Sequence, residues 1–444
     1  MPIQLETVQS STVFPKQVDV VVIGAGVIGT CAAYELARRG VSVALLEKGV
    51  VGGEQSSRNW GWIRQQNREL PELPLAIYSV RRWDELSAEI GRDLGFRREG
   101  ILFCTDKQEE LARWEKWGNA ARQQGFNCEI LTAKQTESRS EGNNRSWLGG
   151  VWSPTDGKAE PSLAVPAIAE GAKKLGVHLL QNCAARGLEI KGRDVAGVWT
   201  EQGLIKCSAV VCAGGAWSSR FSRRHGIDVP IANVEGTALR TTIAKNVLQA
   251  GCIFTPNYAL RRRIDGAYTV AVPGYGTVNI APQGLRYATK FYQMYQSNLT
   301  KKLSYRINSS FWNGPEAAGK WEFDEISPFE KIRILDPLPN KKLVDLAIKN
   351  LTTDYPELGG IKAAASWGGM IDTTPDLVPI VSKVANLNGF IVAAGFSGHG
   401  FTLGPGTGRL ITEMVLNETP FTDVAPYSLE RFSDGSAIRR PEMM

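Results

Sequence analysis

The sequence predicts an α/β protein: a Rossmann-like parallel-sheet domain assembled from discontinuous pieces of chain, interleaved with an antiparallel-sheet domain. Three observations carry that expectation. The run Val18–Ile23 is apolar apart from Asp19, suits a strand buried on both faces, and leads straight into Gly24-Ala25-Gly26-Val27-Ile28-Gly29. Two later apolar runs, Ile205–Cys212 and Gly389–Ala394, also end in glycine, at Ala213-Gly214-Gly215 and at Gly395-Phe396-Ser397-Gly398-His399-Gly400-Phe401. Between about Gly226 and Tyr355 the pattern changes to short alternating strands and polar loops rich in Tyr and Arg. Residues 1–85, 150–225 and 356–444 are therefore expected in the parallel-sheet domain, and 86–149 and 226–355 in the second.

The elements follow in order. Thr30–Arg39 spaces Ala33, Leu36 and Ala37 along one helical face and stops at Gly40. Val41–Leu46 reads as the second strand, ending at Glu47. Residues from about Ala76 to Gln124 look like a helical excursion, with Leu86, Ile90, Leu111, Trp114 and Trp117 at helical spacing. A helix over Pro161–Leu175, strands over Val177–Gln181 and Gly187–Glu201, and a last helix over Gly404–Leu416 complete the outline.

Composition excludes several classes. With 43% hydrophobic and 22% charged residues in 444, the chain is an ordinary globular protein of two-domain size. The net charge of +6 is too small for a dedicated nucleic-acid binder. It is nevertheless local. From Tyr258 to Trp312 eight basic residues face Asp265 alone, interleaved with Tyr287, Phe291, Tyr292, Tyr295, Tyr305, Phe311 and Trp312. Such a stretch suits weak contact with an anionic membrane surface, or a solvated rim that draws in carboxylates. The three histidines, His178, His225 and His399, and the seven cysteines are scattered, without a CxxC pair or HExxH, which argues against a protein-built metal site. An odd number of cysteines in apolar runs suggests reduced thiols and a cytoplasmic protein. No segment approaches the length of a membrane-spanning helix.

The glycine motif sits after a strand, opens a helix, and is followed by an acidic residue closing the next strand. In that context Gly24 makes the turn, Gly26 admits a pyrophosphate, Gly29 lets helix and strand pack, and Glu47 accepts from ribose hydroxyls. The helix start at Val27 and Ile28 offers free N–H groups and a positive dipole end to phosphate. The two further glycine-rich strand ends favour a longer dinucleotide held along its whole length, FAD rather than NAD.

Val-Ile-Gly-Ala-Gly-Val-Ile-Gly, Val-Val-Cys-Ala-Gly-Gly-Ala-Trp-Ser and Ala-Ala-Gly-Phe-Ser-Gly-His-Gly-Phe occur in the order found in D-amino-acid-oxidase-like flavoenzymes, which the chain resembles over nearly its whole length. Within that family it is similar to bacterial L-amino-acid deaminases, through Gly53-Glu54-Gln55-Ser56-Ser57-Arg58, Asn182–Glu189, Ser327-Pro328-Phe329-Glu330-Lys331 and Pro426–Phe432. The resemblance implies a glutathione-reductase-type FAD-binding domain. It also implies cofactor contacts from Lys48, Gln55, Ser56, Ser57, Arg58, Trp60, Gly61, Ala213, Gly214, Gly215, Trp217, Gly368, Gly398, His399, Gly400, Phe401 and Thr402. Two departures stand out. The deaminases carry an N-terminal transmembrane anchor, for which there is no room before the first strand. Some relatives attach flavin through a histidine where this chain has Arg58-Asn59-Trp60, so FAD is expected to be non-covalent.

Oxidation of an amino acid passes the Cα hydrogen to flavin N5 as hydride, and the protein must mainly orient the substrate. The carboxylate calls for a bidentate cation. The arginine that many relatives carry after Trp-Gly is absent from Trp367-Gly368-Gly369-Met370-Ile371-Asp372. Arg64 and Gln66 are the first candidates to hold the carboxylate. The run Arg261-Arg262-Arg263 is the second, with either Arg262 or its two neighbours facing the pocket. Trp367 is expected to wall the substrate cavity, and His399 to assist at the helix start beside flavin O2/N1. Gly395-x-Ser397-x-His399 lacks the fifth glycine of a nucleophile elbow, which rejects a hydrolase. The expected reaction is oxidative deamination of an amino acid, L- favoured, with oxygen or a membrane quinone chain as acceptor. Oxidation of secondary amines such as sarcosine, and a non-catalytic flavoprotein subunit, remain the alternatives.

Overall fold

The computed structural model describes residues 4–297 and 300–442. Its centre is strand β1 (Val20–Ile23), with parallel neighbours β2 (Val43–Leu46) on one side and Ala209–Cys212 on the other. Leu387–Ala394 and His178–Leu180 extend the parallel sheet outward in the same sense. Alternation explains why a continuous apolar run is needed here. Val20 and Val22 pack into the core on one face, while Val21 packs into a second core on the other. The strand begins at Val20 rather than Val18 because Asp19 is tied by its backbone and side chain to Ser42. Helix α1 (Val27–Arg38) covers the first face together with Gly400–Val415. The hairpin partner Ile380–Val384 and a meander, Ala185–Lys191, Asp194–Thr200 and Gly203–Lys206, complete nine strands.

The second sheet has ten strands and is mainly antiparallel. Two of its pairings are parallel, Cys252–Phe254 with Ile101–Thr105 and Gly276–Asn279 with Leu303–Arg306. The first joins strands from distant parts of the chain, where no tight turn dictates direction. Gly149–Ser153 and Ala363–Thr373, which sequence patterning puts with the parallel sheet, run in this second sheet instead. Conversely, helix α2 (Leu73–Ile90) runs past residue 85 while Val80, Trp83, Leu86 and Ile90 pack into the core beneath β1. The ridge spacing of Leu86 and Ile90 is correctly helical. The strand Ile101–Thr105 nevertheless interrupts the excursion before Gln108–Gln123.

Three arginines of the basic run are answered by acids outside it. Arg261 is fully buried and bidentate with Glu160, Arg286 pairs with Asp228, and Arg306 pairs with Glu235. The aromatic residues divide. Tyr287 and Phe291 are buried, whereas Tyr292, Tyr295, Tyr305 and Trp312 are exposed. Among the described residues no helix is long and apolar enough to cross a membrane, and all seven cysteines are unpaired and buried.

Candidate cofactor and substrate site

The turn after β1 is built by close backbone approach. Gly24 has φ +99°, and a Cβ there would stand 2.5 Å from the Ala213 carbonyl oxygen. A Cβ on Gly29 would stand 1.8 Å from the Gly24 oxygen, and one on Gly26 2.9 Å from Ser56 Oγ. The last two leave α1 seated on β1: the Val27 N–H, expected to be free, donates to Ser56 Oγ at 2.9 Å, while Gly26, Val27 and Ile28 line a long cavity. The positive end of a twelve-residue helix therefore faces this cavity.

Glu47 closes β2 and lines the same cavity. Its carboxylate accepts from the Ala25 N–H at 2.9 Å and the Gly49 N–H at 2.8 Å. Burial pushes its pKa up, partly opposed by Lys48 and these N–H groups. Lys48 sits 4.8 Å over the Trp217 ring and donates to Glu54 at 2.6 Å. Gln55, Ser56, Ala213, Gly214, Gly215, Trp217, Gly398, Gly400 and Phe401 complete the lining expected from sequence. The buried Gln55 Oε1 and Ser218 Oγ in this lining have no partner, which suits a ligand rich in donors and acceptors.

Other candidates stand behind the wall. Gly29 supports the turn and Ser57 faces a separate polar cavity. Arg58 is buried against the Gly368 carbonyl and Asp336. Trp60 gives its carbonyl to Arg261, against which Gly61 packs, and Gly368 is shut in by the Pro337 carbonyl. Thr402 points to the substrate candidates, accepting from the Arg64 N–H at 3.1 Å. Reading one sequence segment at a time misses Asn59, Cys183, Ala185, Phe396 and Asp372, which also line the cavity. The stretch around Cys183 offers a signal, being one of the matched segments. Asp372 arrives on a strand of the other sheet, and sequence spacing gives no hint of it.

Arg64 and Gln66 lie together just after this wall. Arg64 is half-buried and uses only Nη1 within the protein, donating to the Gln66 carbonyl at 2.8 Å. Burial and the nearby Arg68 push its pKa well below the ordinary value, against the pull of Asp156 and Glu72. The Gln66 side chain is fully buried with neither amide atom paired. Arg262 does not join them. It follows Arg261 on the strand Ala259–Arg262, so it points to the opposite face, donates to the Ala244 carbonyl and lies 4.8 Å over Tyr268. Trp367 is buried, gives its Nε1–H to the Arg58 carbonyl, and borders the separate polar cavity. The His399 side chain is likewise turned from the cofactor cavity, whose lining passes from Gly398 to Gly400.

Three buried carboxyls carry pKa values raised first by burial: Asp372 to about 6, Glu72 to about 7 and Glu316 to about 8. The folded chain therefore holds protons there that the unfolded chain has released. Stability falls as pH rises through these values. His225, lowered to about 4, works the other way, but only up to the unfolded histidine value near pH 6.5. Unfolding free energy measured in urea is expected to drop by about 2–3 kcal/mol between pH 6.5 and 8.5. Glu316→Gln should flatten most of that slope, and an unchanged slope would reject the assignment.

A parallel sheet with a glycine turn, a helix start and a terminal acid on one long cavity defines a dinucleotide-binding protein. The family model described as "FAD dependent oxidoreductase" matches residues 19–414, and the chain belongs to that family, whose cofactor is FAD. It is 26% identical to the sarcosine oxidase beta subunit of an Arthrobacter species, over 95% of this chain and 93% of that one. With Mus musculus mitochondrial sarcosine dehydrogenase it shares 25% identity, spanning 42% of that longer protein. Among solved structures it is similar to the L-amino acid deaminase of Proteus myxofaciens in complex with anthranilate, with TM-score 0.92, 30% identity and 97% of both chains covered.

Proposed function

We propose that the chain oxidises an α-amino acid, L- favoured, at its Cα–N bond, giving an imine that water converts to a 2-oxo acid and ammonia. The observation that carries this is the placing of Arg64, whose described side-chain hydrogen bonds all run from Nη1, close to Gln66 with its unpaired buried amide. A guanidinium fork and an amide in one buried place receive a carboxylate and fix its orientation. FAD, held non-covalently, supplies the two-electron oxidant when bound. Arg64 binds the carboxylate, Gln66 orients it, and the aromatic wall of Trp62 and Phe103 excludes water. The start of Gly400–Val415 turns its N–H groups toward the cavity, where they stabilise negative charge.

The likeness to the deaminase supports the amino-acid reading. The likeness to sarcosine enzymes supports a second, oxidation of a secondary amine by the same site. Electrons then pass to oxygen or a membrane quinone chain, and the exposed Tyr292, Tyr295, Tyr305 and Trp312 support peripheral membrane contact of a cytoplasmic protein. Anaerobic bleaching of the yellow protein by L-, D- and N-methyl amino acids tests the chemistry. Bleaching by L-amino acids is the expected result, bleaching by N-methyl compounds alone selects the second reading, and no bleaching by any amine rejects both.

A further inference from the structure

A second set of buried ionisable groups stands behind the cofactor cavity. Glu72, in the turn before α2, is fully buried, and its Oε1 lies 2.8 Å from Nδ1 of His399 and 3.7 Å from Nε of Arg68. No other hydrogen-bond partner meets either carboxyl oxygen or Nδ1. His399 itself is 4% exposed and immediately precedes the helix Gly400–Val415.

Two bare acceptors do not stand 2.8 Å apart in a protein interior without a proton between them. Burial, with Arg68 and Arg64 close by, lowers the His399 pKa well below its ordinary value, so the ring carries one proton, not two. We propose that Glu72 is a positioning residue for His399: its carboxyl decides which ring nitrogen holds that proton. With Glu72 protonated, its O–H donates to Nδ1 and the ring proton sits on Nε2, a donor. With Glu72 ionised, the ring proton moves to Nδ1 and Nε2 presents a lone pair. One proton leaves the pair and one changes nitrogen.

The charged and titratable groups around Glu72 come from every packed element. Arg64 and Arg68 come from the segment before it, Arg439 and Tyr427 from the C-terminal segment, and Asp376 from the loop before Ile380–Val384. The arginines favour the ionised carboxyl, while burial and Asp376 oppose it, which leaves the balance at about 7. The proposal rests on the reading of Arg64 and Gln66 as the substrate site only for its effect on catalysis. Thr402 ties the two together, accepting from the Arg64 N–H and, at 3.3 Å, from Arg68 Nη2.

The test uses FAD-loaded protein carrying ¹⁵N-histidine. There are three histidines, and His399→Gln identifies the signal by removing it. Between pH 5.5 and 8.5 the Nε2 resonance of His399 is expected to move from the N–H to the lone-pair position, with a midpoint near 7. Glu72→Gln, whose amide donates to Nδ1 at every pH, should hold the N–H position throughout. A wild-type tautomer that stays constant over this range overturns the proposal, as does a variant that titrates like the wild type. If Glu72→Gln fails to fold, the wild-type titration alone decides. In anaerobic flavin bleaching by the preferred amino acid, the wild-type rate should show a limb near pH 7 that the variant lacks. Failure of every amine to bleach removes the proposed function but leaves the tautomer measurement to decide this point.

Discussion

Arg64→Ala is expected to lower kcat/KM for the preferred amino acid by about 10²–10³-fold, the loss of about 3–4 kcal/mol that a buried bidentate carboxylate contact provides. The wild-type guanidinium feels Asp156 and Glu72 only at a distance and forms no salt bridge among the described residues. Its one strong internal bond goes to the Gln66 carbonyl. Flavin content and melting temperature should therefore stay near those of the wild type, which separates lost binding from lost folding. Arg64→Lys should recover only part of the activity, because an ammonium cannot reproduce the fork. Arg262→Ala, on the other face of its sheet, is the control and should change kcat/KM less than about threefold. A fall below tenfold for Arg64→Ala would remove Arg64 from the substrate site.

Gly29→Ala is expected to have the largest structural effect. The added methyl would meet the Gly24 carbonyl oxygen at 1.8 Å, so either α1 lifts off β1 or the glycine turn opens. Both movements spoil the cradle. Destabilisation of about 3 kcal/mol or more, with loss of most bound FAD, is the expected outcome. The flavin is counted after acid precipitation, which on the proposed non-covalent binding should release all of it from the wild type. Gly40→Ala is the comparison: φ is +76° there, but nothing lies within 4 Å of the new Cβ. Its effect should be about 1 kcal/mol, from backbone strain alone. A Gly29→Ala protein that keeps full flavin and normal stability would refute this view of the turn.

What the sequence made legible was whatever a single segment dictates. The unit from β1 through α1 to β2 is written in apolar alternation, a glycine pattern and a terminal acid, and it folds nearly as read. The cavity walls contributed by Asn59, Cys183 and Asp372 are set by which strands become neighbours, and no local pattern records that. The three adjacent arginines illustrate the same limit. Their alternation along a strand was legible, but the face turned to the pocket depends on the strand's neighbours, and the partner of Arg261, Glu160, lies far away in sequence. The basic run shows it too: Asp228 and Glu235, which pair with Arg286 and Arg306, lie in the chain before the run begins. Glu72 gave no signal at all, since a lone glutamate ahead of a helix resembles ordinary helix-start chemistry until its burial is seen.

The cofactor cavity takes walls from segments as far apart as Gly24 and Phe401, and Leu387–Ala394 slots beside Ala209–Cys212 in the sheet. During synthesis the glycine turn leaves the ribosome long before its opposite wall exists. The nascent chain is consequently expected not to retain FAD, and a protein stalled before Leu387–Ala394 would expose the unpaired edge of Ala209–Cys212. Flavin loading is thus a late event that follows completion of the sheet, and flavin supply acts on finished chains rather than on growing ones.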